Sequence, residues 1–448
     1  MIDQPRVVRI GLLGLGTVGA GVVKSLKTNH QPIFEKTGCD VQVVRTLVRD
    51  PDKERVVRLD REALTTDGLE IVRDPSIHIV IEVIGGIEPA RTLIREALRH
   101  GKHVISANKE LIAKDEGALI AYAEKHGLRL MYEASVGGGI PIVRMVETYL
   151  TANRVYAIRG ILNGTCNYIL TRMEEDGQSF AEALRDAQSL GYAEADPESD
   201  VEGFDTAYKL SILANLAFSV PSSVAAIDRF GITKLQSDDL SLAARVGCTI
   251  KLIGEARVLE DGTVLQSVTP RMIPRADSLA SVRDVFNAVT ITADVVGELS
   301  FMGRGAGELP TASAIIEDLT EILRSPVPRV RRDQYRHTVS VSVSKSGVTS
   351  MDERSSRHVK GYIRMSTSEQ IFDLLFQYAQ DVRVVSGADE VDGESAAHCF
   401  VCGVPEQVWY EQVLHHDALQ LAIPYDGVWP PPNSVAVGQK EAQIHFRA

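Results

Sequence analysis

The chain has 448 residues, 44% of them hydrophobic and 24% charged, with a formal net charge of -12. At roughly 100–200 residues per domain this predicts two to four domains with sizeable cores. The acidic balance disfavours nucleic acid and anionic membranes as partners, and no stretch approaches the ~18 apolar residues of a membrane helix.

The N-terminus passes directly into a strand, Val7 to Leu13, without a signal-peptide pattern, so the cytoplasm is expected. From there to about residue 130, strand and helix patterns alternate as in a parallel α/β sheet. The predicted elements are a helix from Thr17 to about Leu26, strands at Val41–Val48 and Ile79–Ile84, and a helix from Glu88 to His100 stopped by Gly101. A strand at His103–Ser106, a helix at Asp115–His126 and a short strand at Leu130–Tyr132 follow. After Gly137 the pattern becomes α+β, with a strand at Val155–Leu162 and helices at Ser179–Leu190 and Asp205–Phe218. The Gly303–Gly307 segment precedes a helix from Thr311 to about Leu323. Pro326 and Pro328, among Arg329, Arg331 and Arg332, read as a linker. A third unit begins near residue 335. It has β-rich runs at His337–Val343, Gly361–Met365 and Ala397–Val404, a helix at Ser368–Tyr378, and a Pro-rich tail at Pro430–Pro432.

Cys39, Cys166, Cys248, Cys399 and Cys402 are an odd, scattered set, against a disulfide framework. Cys399 and Cys402 form a C-x-x-C in an apolar run that reads as a buried strand. No second ligand pair follows at zinc-site spacing.

Gly14-Leu15-Gly16-Thr17-Val18-Gly19 matches G-x-G-x-x-G between an apolar strand and a helix. In a Rossmann unit the first glycine permits the tight turn, the second lets backbone approach a pyrophosphate, and the third allows close helix–strand packing. The helix N-terminus then faces the phosphates with its N–H groups. A Rossmann-type doubly wound parallel sheet is therefore expected. The second strand ends Leu47-Val48-Arg49-Asp50. Arg49 favours the 2′-phosphate of NADP, Asp50 would suit the ribose of NAD, and both cofactors stay open, with the lean towards NADP. Lys109, in Ser106-Ala107-Asn108-Lys109, falls at the carboxyl end of a parallel strand, where ligands bind in such sheets.

Between Ala187 and Lys209 lies an acid-rich stretch carrying Glu194, Asp196, Glu198, Asp200, Glu202 and Asp205. Asp196-Pro197 and Gly203 mark a tight loop rather than a disordered acidic run. Asp205 and Lys209, four apart, share one helix face. Taken alone, that pair reads first as a surface salt bridge.

The whole stretch resembles the signature of the homoserine dehydrogenase family. Ala187, Gly191, Asp196, Pro197, Asp200, Gly203, Asp205 and Lys209 occupy its fixed positions. Ser106–Lys109, Glu133–Pro141, Asn163–Tyr168 and Gly303–Gly307 resemble further family motifs, although Arg304 and Glu308 depart from the usual residues of the last. The resemblance covers roughly residues 5 to 325. It implies NAD(P)-dependent interconversion of L-aspartate 4-semialdehyde and L-homoserine, in threonine, methionine and isoleucine biosynthesis. It implies Lys209 as general acid–base, Asp205 beside it, and Glu194, Asp200, Asp205 and Lys109 around the substrate. It places the glycine loop, Arg49, Gly85, Lys109 and Gly307 around the cofactor. It further implies a monovalent cation, sodium, at the backbone carbonyls of Glu133, Val136, Gly138 and Ile140, an oxygen set suited to a hard ion. A homodimer or homotetramer follows from the same resemblance.

The expected organisation is a cofactor domain over residues 1–136, completed by the helix at about 303–325. A catalytic and dimerisation domain covers 137–302, and an ACT-like α+β domain covers 335–448. Ser366-Thr367-Ser368-Glu369 replaces the usual D-R-P-G-V-type opening of an ACT domain, which puts an amino-acid effector in question. With all motifs upstream, deletion after about Arg332 is expected to leave activity intact. Two other readings remain: a different Rossmann oxidoreductase on a small carbonyl substrate, and a non-catalytic amino-acid or nucleotide sensor on this scaffold.

Overall fold

The structure, a computed structural model, describes residues 6–219, 224–259, 261–324, 358–366, 374–375, 377–384, 390–391, 394–405, 408–413, 419–426 and 435–436. The chain forms two compact units. One holds Met1–Ile158, Tyr208–Val224 and Asn287–Val341; the other holds Arg159–Ala207, Ala225–Phe286 and Ser342–Ala448.

The first unit opens with β1 (Arg6–Leu13), α1 (Thr17–Thr28), α2 (His30–Thr37), β2 (Cys39–Leu47), β3 (Leu64–Thr65) and α3 (Gly68–Arg73). Then come β4 (Ile79–Glu82), α4 (Ala90–Arg99), β5 (His103–Ser106), α5 (Lys109–Lys125), β6 (Leu130–Met131) and α6 (Ile142–Thr148). The strands form one sheet in the order β3-β2-β1-β4-β5-β6, every pair parallel. This is the doubly wound order, in which successive strands switch from one side of β1 to the other between β3 and β4. Ile10, Leu12, Ile79, Ile81 and Ile105 are buried in its centre, which is why these strands read as continuous apolar runs.

Most strands and helices fall within two residues of their sequence expectation. Helix α5 instead starts six residues early, because Asn108 caps it by accepting from the Leu111 N–H at 3.2 Å. Elements α2, β3 and α3 were not foreseen; each is short and sits among charged residues that blur the periodicity.

After β7 (Val155–Ile161) come α7 (Gly164–Asp176), α8 (Phe180–Ser189), α9 (Glu198–Val201), α10 (Phe204–Phe218), β8 (Asp228–Arg229) and α11 (Ser237–Arg245). Ser179 and Glu182 close a capping box on α8. In the second unit β9 (Cys248–Val258) and β10 (Val264–Pro274) form an antiparallel ladder, and β8 joins β10 in parallel. In the first unit β11 (Phe286–Ala293) neighbours β12 (Gly297–Arg304), and α12 (Glu308–Arg324) follows. Ile315, Leu319 and Ile322 of α12 share the core with Val22 and Leu26 of α1 and with the central strands.

The C-terminal strands are β13 (His358–Ser366), β14 (Asp381–Val384), β15 (Glu390–Val391), β16 (Glu394–Pro405), β17 (Leu419–Pro424) and β18 (Val435–Ala436). They pair antiparallel in the order β17-β13-β16-β14-β18, with β15 on β16. Both expected strands, Gly361–Met365 and Ala397–Val404, lie inside β13 and β16. Cys399 is fully buried in β16, and burial pushes its thiol up to about 12. His337–Val343, Pro430–Pro432, Thr367–Glu369 and the start of the expected Ser368–Tyr378 helix lie outside the described residues.

This sheet is fastened to the rest of its unit by buried charge. Arg364 Nη1 on β13 donates to Asp239 Oδ2 on α11 at 2.9 Å, and Tyr362 Oη donates to Asp239 Oδ1 at 2.7 Å. His398 Nδ1 lies 2.7 Å from the same Tyr362 hydroxyl. A second cluster joins Asp426 to Arg271 at 3.0 Å and to Arg159 at 3.3 Å. Both clusters cross the boundary expected near residue 335.

Candidate functional site

The glycine loop leaves β1 at the reversal point of the sheet. Gly14 has φ 110°, and a Cβ there would meet the Val83 carbonyl at 2.9 Å. A Cβ at Gly19 would strike the Gly14 carbonyl at 2.2 Å, so α1 packs on the loop only with glycine there. At Gly16 an added Cβ meets nothing within 4 Å, and Gly16 and Thr17 are exposed. Gly16 caps α1 without a side-chain hydrogen bond, and the first turn holds no acid. Those amides face outward from a positive helix end, a fit for a pyrophosphate. Leu15 and Val18 pack against the core below.

Beside the loop, the Gly14 N–H donates to the Leu47 carbonyl at 3.2 Å, which brings the end of β2 to it. Arg49 and Asp50 are exposed just beyond. The Asp50 carboxylate accepts from the Asp52 N–H at 2.8 Å and so closes its own turn.

A residue missed in the sequence organises the neighbouring edge. Glu82, the last residue of β4, is wholly buried, and burial raises its carboxyl above the ordinary range. It accepts from the Ile84 N–H at 2.8 Å, the Gly85 N–H at 3.2 Å and Ser106 Oγ at 2.6 Å. The Ser106 hydroxyl accepts from the Asn108 N–H at 3.1 Å, and Asn108 Nδ2 donates to the Gly86 carbonyl at 2.6 Å. Gly85 and Gly86, at φ 80° and 70°, are thus held against the start of α5, where Lys109 is the first residue. The only sequence signal was an acid inside an apolar run.

Farther along α5, Lys114 stands 5.5 Å over the ring of Tyr208, so α5 and this part of α10 lie side by side. Lys209, the next residue, is 7% exposed, and Asp205, one turn earlier on α10, is 2% exposed. The surface salt bridge is therefore excluded for this pair.

In the acid-rich stretch the acids fare differently. Glu194 is exposed on the loop before α9, whereas Asp200 on α9 is partly buried. Asn163, the N-cap of α7, binds Asp200 and Asp205 at 2.8 and 2.9 Å through one amide nitrogen. No described contact joins Glu194's carboxylate to them. Thr165 Oγ1 donates to the Tyr192 carbonyl at 2.8 Å and ties the loop to α7.

The Glu133–Ile140 loop packs on the other glycine-rich loop. The Gly139 N–H donates to the Arg304 carbonyl at 3.0 Å, and a Cβ on Gly138 would meet the Gly305 carbonyl at 2.6 Å. Gly307, at φ 134°, follows and leads into α12. Glu308, unexpected in that motif, pairs with Lys24 on α1 at 2.5 Å. The Glu133 side chain caps α6, accepting from the Val143 and Arg144 N–H groups at 2.9 and 2.8 Å. Burial pushes its carboxyl up to about 7, and burial with Glu133's charge pushes Asp318 up to about 8. Among the four expected cation ligands, the Ile140 carbonyl accepts from the Ile142 N–H at 2.8 Å, and Glu133's from Val136 at 3.4 Å.

A doubly wound sheet with an open glycine loop at its reversal point, and a buried lysine–aspartate pair on one helix, define an NAD(P)-dependent oxidoreductase. Family models narrow this. "Homoserine dehydrogenase, NAD binding domain" matches residues 14–133, and "Homoserine dehydrogenase" matches 141–320. The homoserine dehydrogenase of Bacillus subtilis is 43% identical over 71% of this chain and 74% of its own length. That of Synechocystis is 46% identical over 70% and 73%. The solved homoserine dehydrogenase of Thiobacillus denitrificans superposes with a TM-score of 0.78 at 33% identity, covering 94% of this chain and 98% of that one. The chain belongs to the homoserine dehydrogenase family.

Proposed function

We propose that the protein interconverts L-homoserine and L-aspartate 4-semialdehyde with NADP, and with NAD less well, and that Lys209 carries the proton. The observation that carries this reading is the burial of Lys209 one turn from Asp205 on the same helix. The hydride given to the carbonyl carbon would come from a bound nicotinamide, and the hydride taken in reverse would return to it. Negative charge then builds on the carbonyl oxygen, and the Lys209 ammonium neutralises it by donating a proton. In the reverse direction, neutral Lys209 takes the proton from the homoserine hydroxyl. Glu194, Asp200 and Asp205 hold the substrate ammonium by charge-assisted hydrogen bonds. Lys109 stands at the carboxyl edge of β5 for cofactor and substrate. Gly14–Gly19, Gly85 and Gly307 supply backbone to the dinucleotide.

Sodium at the Glu133, Val136, Gly138 and Ile140 carbonyls is part of the same proposal. It is supported by the all-oxygen donor set and by positive φ at Gly137 and Gly138. Assembly of copies is supported by exposed Tyr149, Val295 and Met302 in the first unit, which are 69%, 75% and 65% exposed. No helix among the described residues is long and apolar enough to cross a membrane.

Purified protein given L-homoserine and NADP or NAD in parallel, with sodium or potassium present, is expected to show reduced nicotinamide by absorbance. Folded protein inactive with both cofactors overturns the assignment. Arg49→Ala is expected to raise the KM for NADP by about tenfold or more and leave that for NAD within about twofold. This follows because a guanidinium meets phosphate bidentately and the Asp50 carboxylate is occupied by its own turn. An equal change for both cofactors removes Arg49 as the 2′-phosphate contact.

A further inference from the structure

We infer that Asn163 is a positioning residue for the reaction: its one side-chain amide holds Asp200 and Asp205 in place while also starting helix α7. The inference rests on the homoserine-site reading above and deepens it.

Asn163 is 5% exposed. Its Oδ1 accepts from the Cys166 N–H at 2.7 Å, the ordinary capping bond. That bond settles which way the amide points, since an N–H needs an acceptor and carboxylates need donors. Both Nδ2 hydrogens are then used, one on Asp200 Oδ1 at 2.8 Å and one on Asp205 Oδ2 at 2.9 Å. The two acids come from different elements, α9 and α10, with Gly203 at φ 79° turning the chain between them. The Cys166 thiol adds a 3.1 Å contact to the Asp200 carbonyl, so the start of α7 grips that turn twice.

Two carboxylates brought to one point repel, and repulsion raises the proton affinity of at least one. A shared neutral donor counters this. It lies between the two acids and fixes the position of one oxygen of each. Capping alone requires an acceptor, which serine, aspartate or threonine supplies equally well. The paired N–H groups are what asparagine adds here.

The substitutions separate the two roles. Asn163→Ser keeps a capping acceptor and replaces the two amide donors by a single shorter hydroxyl. Asn163→Asp keeps the cap and the shape but points an oxygen at the two acids. Full-length proteins are compared by melting temperature, by KM for homoserine and for NADP, and by the pH dependence of kcat/KM. Asn163→Ser is expected to raise the homoserine KM about tenfold while the NADP KM stays within about twofold. Asn163→Asp is expected to move the acidic limb of the profile up by about one pH unit or more, because three crowded carboxylates hold a proton more tightly. Its melting temperature is expected to fall as pH rises, because the added carboxylate is buried against two others, so at low pH this variant stays folded and readable if the serine variant is unstable. Asp205→Asn is run alongside. If it damages the homoserine KM while both Asn163 variants keep the parent's KM and pH profile, Asn163 is only a cap and this inference fails alone. If Asp205→Asn is itself silent, the homoserine-site reading fails and takes the inference with it.

Discussion

Lys209→Ala is expected to lower kcat by roughly 10²–10⁴-fold, the usual worth of one positioned general acid. The cofactor KM should stay near the parent value, since the glycine loop and α1 lie elsewhere on the chain. Lys209→Arg should not restore the rate, because a guanidinium holds its proton throughout the working range. Asp205→Ala should also lose activity, through substrate placement, with its effect showing in the homoserine KM as well as in kcat. Steady-state kinetics in both directions measures all three. A Lys209→Ala enzyme that keeps more than about half of the parent kcat would reduce the pair to a buried structural contact. Lys109, at the start of α5, would then become the leading proton donor.

Arg364→Met is expected to destabilise the protein by ~3–5 kcal/mol, the usual cost of leaving a buried charge without its partner. In a unit of this size that is a fall in melting temperature on the order of 10 °C. Asp239 is fully buried, and burial raises its carboxyl, against which the Arg364 guanidinium works. Without Arg364, folding must take Asp239 in protonated form or suffer its charge. A carboxyl raised in the folded state weakens folding as pH climbs from its ordinary value of 3.8 towards the folded one. The deficit of Arg364→Met should therefore be larger at pH 8 than at pH 5. Adding Asp239→Leu should recover part of the loss, since an apolar pair replaces a broken ionic one. A deficit below about 1 kcal/mol, or one flat with pH, would show that this cluster does not fasten the C-terminal sheet.

The same cluster changes the expectation for a truncated chain. Deletion after Arg332 removes Tyr362, Arg364 and Asp426, and so takes from Asp239 its guanidinium and phenol partners and from Arg271 and Arg159 one carboxylate, leaving Arg271 on Glu255 and Arg159 on Asp277. The upstream motifs are intact in such a chain, but buried charge is left uncovered. Motif positions speak to chemistry and carry no information about which side chains from the far end of the chain seal the core.

What the sequence determined by itself was whatever depends on neighbours along the chain. The order of apolar runs and glycine stops dictated the parallel sheet, because strand and helix periodicities are local. Gly14, Gly16 and Gly19 announced the turn, because each answers a backbone demand at a fixed spacing. The Ala187–Lys209 stretch carried the family in one contiguous segment. Lys209 and Asp205 could be put on one helix face but not underground; their burial is a property of packing, and it is burial that removed the surface salt bridge.

Only the tertiary structure decided the contacts between residues far apart in sequence. Glu82 joins the turn after β4 to Ser106, 24 residues on, and Asn163 reaches Asp205 across 42. Asp239 and Arg364 meet across 125 residues. Each is an ordinary polar residue in the sequence. Its role appears only when folding removes water and makes a donor, an acceptor or a countercharge obligatory at that point.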